Sequence, residues 1–235
     1  MANDQFVLSP CTVADVPGMI KVYLSAFASD PFSAFTFPRD KISDEEMNRW
    51  LTERFTKTLT QKREMHTFKI LDTSTNTLCA FLRSSYPHVL MAEEKATRER
   101  EQKARSEERK QGRDPMWPVG SNLEVCDGKF GGLDALRERF VDNAEMYVAD
   151  LLATDPAYQR KGLASRLLTH ILAIADQENR RCYIEATKAG HPVYFRLGFR
   201  DVDELKVDLR PYGGDFVGVN TLMIREPQAV CERGI

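Results

Sequence analysis

A basic, glycine-containing loop stands directly before a helical pattern at residues 159–165. It reads Gln-Arg-Lys-Gly-Leu-Ala-Ser and follows an apolar run at residues 146–153 that predicts a strand. The first N–H groups of a helix have no partner within it and the helix dipole adds positive charge, so this end can bind a phosphate or pyrophosphate. Gly162 lets the backbone approach closely, while Arg160 and Lys161 add cationic partners. The loop is neither a P-loop nor a G-x-G-x-x-G fingerprint.

A second stretch with chemical character lies further along, at residues 190–199. It reads Gly-His-Pro-Val-Tyr-Phe-Arg-Leu-Gly-Phe. Gly198 suits the left-handed position just past the end of a short helix that would present Tyr194. A short apolar segment at residues 182–186, between the two stretches, predicts another strand.

Together the two stretches resemble the GNAT superfamily of N-acetyltransferases. Gln159, Gly162 and Ala164 fill its pyrophosphate-loop pattern, Gln/Arg-x-x-Gly-x-Gly/Ala. Tyr194 and Gly198 fill its Tyr-x-x-x-Gly-Phe element, in the family's order. The resemblance implies an α/β fold: a mixed, mostly antiparallel central sheet, splayed between its fourth and fifth strands and flanked by helices. It also implies acetyl-CoA as cosubstrate and direct attack by a primary amine in a ternary complex.

The resemblance also implies where acetyl-CoA binds. Backbone groups of the fourth strand would pair with the pantetheine arm, and one N–H would polarise the thioester carbonyl. The loop and the helix start would bind the pyrophosphate, and Thr187 would stand in for an Asn that the family often carries before the tyrosine helix. The implied cofactor-binding residues are Leu152, Ala153, Thr154, Gln159, Arg160, Lys161, Gly162, Leu163, Ala164, Ser165 and Thr187.

Three side chains are candidates for proton transfer. By the motif match, Tyr194 would donate a proton to the leaving thiolate. Asp150 is an acid in an apolar strand, where alternation places it on the same face as Val148 and Leu152, and it could be the base or a structural carboxylate. Glu185 on the next strand could deprotonate the acceptor or bind its ammonium group. A chain of water molecules could replace both carboxylates.

Composition narrows the class of protein. The 235 residues carry a net charge of −2, with 42% hydrophobic and 29% charged residues, which is ordinary for a globular protein and gives no basic excess for nucleic acid. No apolar run reaches the roughly 18 residues of a membrane span, and the polar N-terminus has no signal-peptide core. We therefore expect a cytoplasmic protein. The five scattered cysteines predict reduced thiols rather than disulfides or a metal site, and a homodimer is left open.

The remaining pattern predicts one domain over residues 1–235. Strand, helix, helix, strand, strand precede a helical insertion at residues 90–143, and the acetyl-CoA-binding core spans residues 146–199. Residues 30–40, with two prolines and several aromatics, predict a loop whose phenylalanines fill the core or line the acceptor site. Residues 93–113 are densely charged, with acids four positions before bases, and predict a solvated helix or tether rather than a partner-binding arm. Residues 199–209 and 216–225 predict a hairpin.

The sequence thus predicts an acetyl-CoA-dependent N-acetyltransferase acting on a small primary amine. Acetylation of protein lysines or N-termini is the alternative within the same class. A non-catalytic acyl-CoA sensor or interaction module is the alternative outside it. An enclosed pocket would favour the small amine, whereas an open, acidic groove would favour a protein acceptor.

Overall fold

A seven-stranded mixed sheet organises the chain, of which the computed structural model describes residues 5–229. Its strands lie in the order β1-β2-β3-β4-β5-β7-β6, and every neighbouring pair is antiparallel except the parallel pair β4–β5. This confirms the predicted fold class. The strands are β1 (Phe6–Pro10), β2 (Met65–Asp72), β3 (Thr77–Ser85), β4 (Tyr147–Thr154), β5 (Cys182–Ala186), β6 (Arg200–Asp208) and β7 (Val217–Arg225).

Helices cover both faces of the sheet. They are α1 (Val16–Ala26), α2 (Pro31–Thr36), α3 (Asp44–Gln61), α4 (Ala92–Lys110), α5 (Leu123–Cys126), α6 (Gly132–Phe140), α7 (Leu163–Gln177) and α8 (His191–Arg196). A π-helical turn at Asp127–Gly131 joins α5 to α6. The polar N-terminal residues 1–4 and Cys231, on which two of the sequence predictions rest, lie outside the described residues.

Helix α7 packs its apolar stripe on one face of the sheet. The residues at helical spacing are all buried: Leu163, Leu167, Leu168, Ile171, Leu172 and Ala175. They form one cluster with Tyr147 and Ala149 of β4 and with Tyr194. Each leucine or isoleucine withdrawn from water in this way contributes roughly 1.5–3 kcal/mol, so the stripe anchors the loop that precedes the helix.

Helices α1 and α3 cover the opposite face. Met19 of α1 and Leu51 and Phe55 of α3 pack with Phe81 of β3 and Ala153 of β4 in a second cluster. Ser43 caps α3 by accepting a hydrogen bond from the Glu46 N–H. The two clusters lie on opposite faces of β4, with the α7 cluster on one face and the α1–α3 cluster on the other. The loop at residues 159–165 leads into α7 and so lies on the α7 side.

The region predicted as a loop at residues 30–40 contains helix α2 instead. Asp30 caps it, since its carboxylate accepts a hydrogen bond from the Ser33 N–H, and Pro31 occupies the first helical turn, where a missing N–H costs nothing. The sequence pattern of prolines and aromatics concealed these capping signals. Phe32 and Phe37 are buried, as expected for residues that fill the core.

Helix α4 forms as predicted, but its ion pairs differ from those expected. The acid–base pairs four residues apart give way to partners outside the helix, because α3, the turn before β2 and the segment after α4 offer opposite charges. The pairs are Lys57–Glu101, Arg63–Glu94, Arg98–Glu64 and Arg105–Asp114. No residue of α4 is buried. The helix therefore lies on the surface and is held by charge rather than by apolar packing.

Candidate active site

A gap opens between β4 and β5. Their pairing ends at Ala149 and Ile184, although β4 continues to Thr154 and β5 to Ala186. Beyond Ala149, β4 pairs only with β3 on its other side. One edge of β4 thus keeps unpaired backbone groups facing the gap, as a ligand that adds itself like a strand requires. This is the splay predicted between the fourth and fifth strands.

A β-bulge at Asp150 changes the predicted alternation along β4. Arg83 of β3 pairs with Leu151, whereas the following Ser84 pairs with Ala149, so Asp150 is the extra residue. As a result Leu152 packs in the α7 cluster and Leu151 in the α1–α3 cluster. The expectation that Asp150 shares a face with Leu152 was wrong, because a strict period of two does not continue across a bulge.

The basic loop begins where the gap meets the start of α7. Gly162 has φ 78° and Arg160 has φ 61°, so the chain passes through two left-handed residues before the helix. A side chain added at Gly162 would meet no atom within 4 Å, so the space beside the turn is open. The Lys161 ammonium lies 4.8 Å from the centre of the Tyr158 ring, which holds its charge beside the loop.

The helix start offers unpaired donors. The first hydrogen bond of α7 runs from the Arg166 N–H to the Gly162 carbonyl, so the N–H groups of Leu163, Ala164 and Ser165 have no partner within the helix. The Leu163 side chain is buried in the core. Free N–H groups, open space and two exposed cations, Arg160 and Lys161, suit the pyrophosphate of acetyl-CoA.

The other predicted cofactor residues border the gap. Leu152 and Ala153 pair with β3, and the Thr154 hydroxyl is buried with no hydrogen-bond partner among residues 5–229. The Gln159 amide donates to the Thr154 carbonyl at 3.3 Å, which ties the loop to the end of β4. The Thr187 hydroxyl accepts a hydrogen bond from the Gly190 N–H, so it helps to turn the chain from β5 into α8.

Tyr194 lies in helix α8, which follows β5 closely. Its side chain is buried and its ring packs in the same cluster as Ile184 and Ala186 of β5. The hydroxyl folds back beside Gly190, where an added Cβ would come within 2.8 Å of it. Burial raises the pKa of Tyr194 to about 12, so the hydroxyl keeps its proton at neutral pH. It can therefore act as a proton donor.

Asp150 is fixed between two guanidinium groups. Arg83 Nε donates to Asp150 Oδ2 at 2.6 Å, and Arg137 lies 3.5 Å from Oδ1. Burial by itself would raise the pKa of Asp150, but the charges of Arg83 and Arg137 outweigh it and lower the pKa to about 2. A carboxylate this weakly basic is a poor proton acceptor.

The pKa of Glu185 in β5 shifts in the opposite direction to that of Asp150. Its Oε1 accepts hydrogen bonds from Arg137 at 2.8 Å and from the Tyr183 hydroxyl at 3.1 Å. Burial raises the pKa of Glu185, and its two partners offset only part of that effect. A carboxylate with a raised pKa is better matched to taking a proton near neutral pH.

Sequence reasoning missed four cations on this face of the sheet. They are Arg54 of α3, Arg83 of β3, Lys129 of the π-helical turn and Arg137 of α6. The signals were present but weak. Arg83 is a charge inside an apolar strand, like Asp150, and Arg137 lies at helical spacing with Leu133 and Phe140, on the apolar side of α6. Only the tertiary fold shows that the insertion returns to the gap.

Aromatic side chains line the face of the sheet that carries these four cations. Trp117 and Phe130 of the insertion stack at 4.5 Å, and Phe37 and Trp50 lie 5.4 Å apart beside them. A cavity of about 130 Å³ opens next to this group, between α1, α2 and α3, and Tyr23 and Phe37 are among its lining residues. The insertion thus packs beside β4 on the face opposite α7.

Burial raises the pKa of the Cys182 thiol to about 12, so it is not a ready nucleophile. Within residues 5–229, no group of three or more His, Cys, Asp or Glu side chains could hold a metal ion. No helix in the same range is long and apolar enough to cross a membrane.

Comparison with known proteins agrees with this geometry. The family model for the acetyltransferase (GNAT) domain matches residues 124–201, which include β4, the basic loop, α7, β5 and α8. Among curated proteins no sequence matches significantly. Among solved structures, one from Corynebacterium glutamicum, described as histone acetyltransferase HPA2 and related acetyltransferase, has a TM-score of 0.57 at 19% identity, covering 97% of this chain and 99% of its own.

Two further structures share the fold. The ribosomal-protein-S18-alanine N-acetyltransferase of Escherichia coli has a TM-score of 0.53 at 14% identity, covering 98% of this chain and 99% of its own. The polyamine N-acetyltransferase of Drosophila melanogaster has a TM-score of 0.56 at 15% identity, covering 94% and 99%. Residues 124–201 therefore match the acetyltransferase (GNAT) domain, and the chain as a whole shares the fold of these N-acetyltransferases.

Proposed function

We propose that this chain transfers the acetyl group of acetyl-CoA to a primary amine of a small molecule. The observation that carries the proposal is the gap between β4 and β5, which opens at Ala149 and meets the free N–H groups of α7 at one end. In this arrangement β4 would bind the pantetheine arm, and the loop from Gln159 to the start of α7 would bind the pyrophosphate.

The proton-transfer groups lie on opposite sides of the gap. Tyr194 belongs to the α7 side and Glu185 to the α6 side, where it contacts Arg137. As the acceptor nitrogen bonds to the acetyl carbon, the carbon–sulfur bond breaks and the sulfur receives the Tyr194 proton. Glu185 takes a proton from the amine, and exchange with solvent restores both groups. Asp150 would hold Arg83 and Arg137 in place rather than serve as the base.

A small acceptor is favoured by the cover over this face. We expect the insertion to cover the approach that a polypeptide would use, because its Trp117 and Phe130 stack beside β4 and its Arg137 pairs with Asp150. The charges of the face are mixed rather than acidic, which does not suit a lysine-rich segment. Protein acetylation remains the alternative, as the fold is shared with enzymes of both kinds. We also propose that residues 1–235 form one domain, with 90–143 as its insertion.

Calorimetric titration with acetyl-CoA tests the binding half of this proposal, and release of free CoA with a library of amines and of peptides tests the catalytic half. We expect one-to-one binding and turnover with a small amine. No binding of acetyl-CoA would contradict the proposal. Turnover with peptides alone would support protein acetylation instead.

A further inference from the structure

Within residues 5–229, Arg54 of α3, on the acceptor side of β4, forms no ion pair with a carboxylate. The guanidinium carbon of Arg54 lies 5.4 Å from the centre of the Trp50 ring and 5.8 Å from that of Trp117. Both indoles are buried, with 7% of their surface exposed. A guanidinium stacks on indole faces because the π-electrons attract the cation. The two rings therefore fix Arg54 in place without neutralising its charge.

Three of the neighbouring cations differ from Arg54 in this respect. Arg83 and Arg137 both pair with Asp150, and Lys129 lies 3.8 Å from Asp30. Within residues 5–229, no carboxylate pairs with Arg54 and no acceptor takes a hydrogen bond from its guanidinium. Five N–H donors are thus left for water or for a ligand.

The surroundings make an unpaired charge unfavourable at this position. Burial lowers the pKa of Arg54, and repulsion by Arg83 adds to the effect, while Tyr23, Asp150 and Asp134 offset it only in part. A desolvated cation beside another cation is stabilised by an anion. Nearby, the buried Trp117 Nε1–H also lacks a partner among the described residues.

Arg54 stands on the acceptor side of the gap and away from the expected phosphate site. Trp50 and Trp117 belong to the cluster that includes Leu151 and Ala153 of β4, whereas α7 packs on the other face of the sheet. An anion bound to Arg54 would therefore be part of the acceptor and not of acetyl-CoA.

We propose that the acceptor carries a carboxylate as well as its amine, and that Arg54 binds this carboxylate. The planar fork of a guanidinium matches a carboxylate with two parallel hydrogen bonds, and Arg54 has no such partner among the described residues. The substrate class is then a small amino acid. This inference rests on the proposed acetyl transfer and adds the chemistry of the acceptor to it.

The test uses the common amino acids as acceptors, each paired, where it exists, with the amine that lacks the carboxylate. Free-CoA release gives kcat/KM for wild type, Arg54→Met, Arg54→Lys and the control Arg49→Met. Arg49 lies on the same helix but is exposed and pairs with Glu46 and Glu53. Comparing each acceptor with itself in two proteins cancels the intrinsic reactivity of its amine.

We expect wild type to prefer the carboxylate-bearing member of a pair. Arg54→Met should lower kcat/KM for that member by about 10- to 100-fold, the range of charge-assisted hydrogen bonds, and change the carboxylate-free amine by less than about threefold. Arg54→Lys keeps the positive charge but not the two parallel donors of a guanidinium, so its kcat/KM for that member should fall by less than that of Arg54→Met. Arg49→Met should match wild type.

Equal loss for both members of a pair, or a wild-type preference for amines without a carboxylate, would overturn this inference. The wild-type preference is measured without any variant, so a failure of Arg54→Met to fold does not remove the test. Failure of the proposed function is a different result: wild type would neither bind acetyl-CoA nor release CoA with any acceptor.

Discussion

Asp150 of β4 and Glu185 of β5 share the guanidinium of Arg137, across the point where the two strands separate. Arg137 donates to Glu185 at 2.8 Å and lies 3.5 Å from Asp150. The two carboxylates nevertheless differ: the pKa of Asp150 is lowered to about 2 by Arg83 and Arg137 despite its burial, whereas burial raises that of Glu185. The inserted helix α6 thus joins the two strands, and its Arg137 lowers the pKa of both carboxylates relative to what burial alone would give.

The pair of Asp150 with Arg83 should stabilise the fold in a pH-dependent way. Because the folded pKa of about 2 lies below the ordinary 3.8, this contribution is complete above pH 4 and is lost as pH falls toward 2. It amounts to about 2 kcal/mol. Urea unfolding of wild type and Asp150→Asn should show a difference that shrinks over this interval. Asp203→Asn, in an exposed pair with Arg139, should cost less than about 1 kcal/mol. A difference that stays constant with pH would contradict the assignment.

Arg137 should lower the pKa of Glu185, the proposed base. A carboxylate base must be ionised, so kcat/KM rises with pH through the pKa of Glu185. Arg137 lowers that pKa, so Arg137→Met should move the acidic limb of the profile to higher pH. Glu185→Gln should remove the limb. Arg139→Met, at an exposed site on the same helix, is the matched control and should leave the profile in place. An unchanged limb in Arg137→Met would argue for water as the base.

Two substitutions at Gly162 should separate the effect of charge on acetyl-CoA binding from the effect of backbone strain in the loop. Its left-handed conformation disfavours any side chain, and asparagine tolerates it best. The nearby space is open, so Asn and Asp both fit, and they differ mainly in charge. Calorimetry should show that Gly162→Asp binds acetyl-CoA at least about tenfold more weakly than Gly162→Asn. Equal affinities would place the phosphates elsewhere.

Gly190 should control the position of the Tyr194 hydroxyl. A methyl group at Gly190 would lie 2.8 Å from that hydroxyl, so Gly190→Ala must displace it. We expect kcat to fall by about tenfold or more while acetyl-CoA still binds. Gly131→Ala is the control, because an added methyl there meets nothing within 4 Å. Equal kcat for the two variants would show that the hydroxyl position is unimportant.

Local patterns were enough to predict the sheet, the α7 stripe, the β6–β7 hairpin and both motif segments. Each depends on residues close in sequence, such as the apolar spacing from Leu163 to Ala175. The bulge at Asp150 could not be predicted, since it depends on the register with Arg83 of β3. Helix α2 was missed because one Asp cap and one Pro outweigh a loop-like composition.

The acceptor side of the site depended even more on tertiary structure. Arg137 meets Glu185 only because α6 folds back over β5, and Arg54 acquires its setting from Trp117, far along the chain. A single sequence shows these arginines as ordinary charges on amphipathic helices. The proposed cofactor side, in contrast, is one continuous strand, loop and helix, so its residues could be proposed from the sequence, and their role stays a prediction.

The most direct test of the central claim compares Tyr194→Phe with wild type. Removing one hydroxyl should lower kcat by about 100-fold or more, because the leaving sulfur loses its proton donor, while the Kd for acetyl-CoA changes by less than about threefold. That result would tie the gap, its cosubstrate and the Tyr194 hydroxyl to acetyl transfer. An unchanged kcat would contradict the role of Tyr194, and a wild-type chain that does not bind acetyl-CoA would contradict the account as a whole.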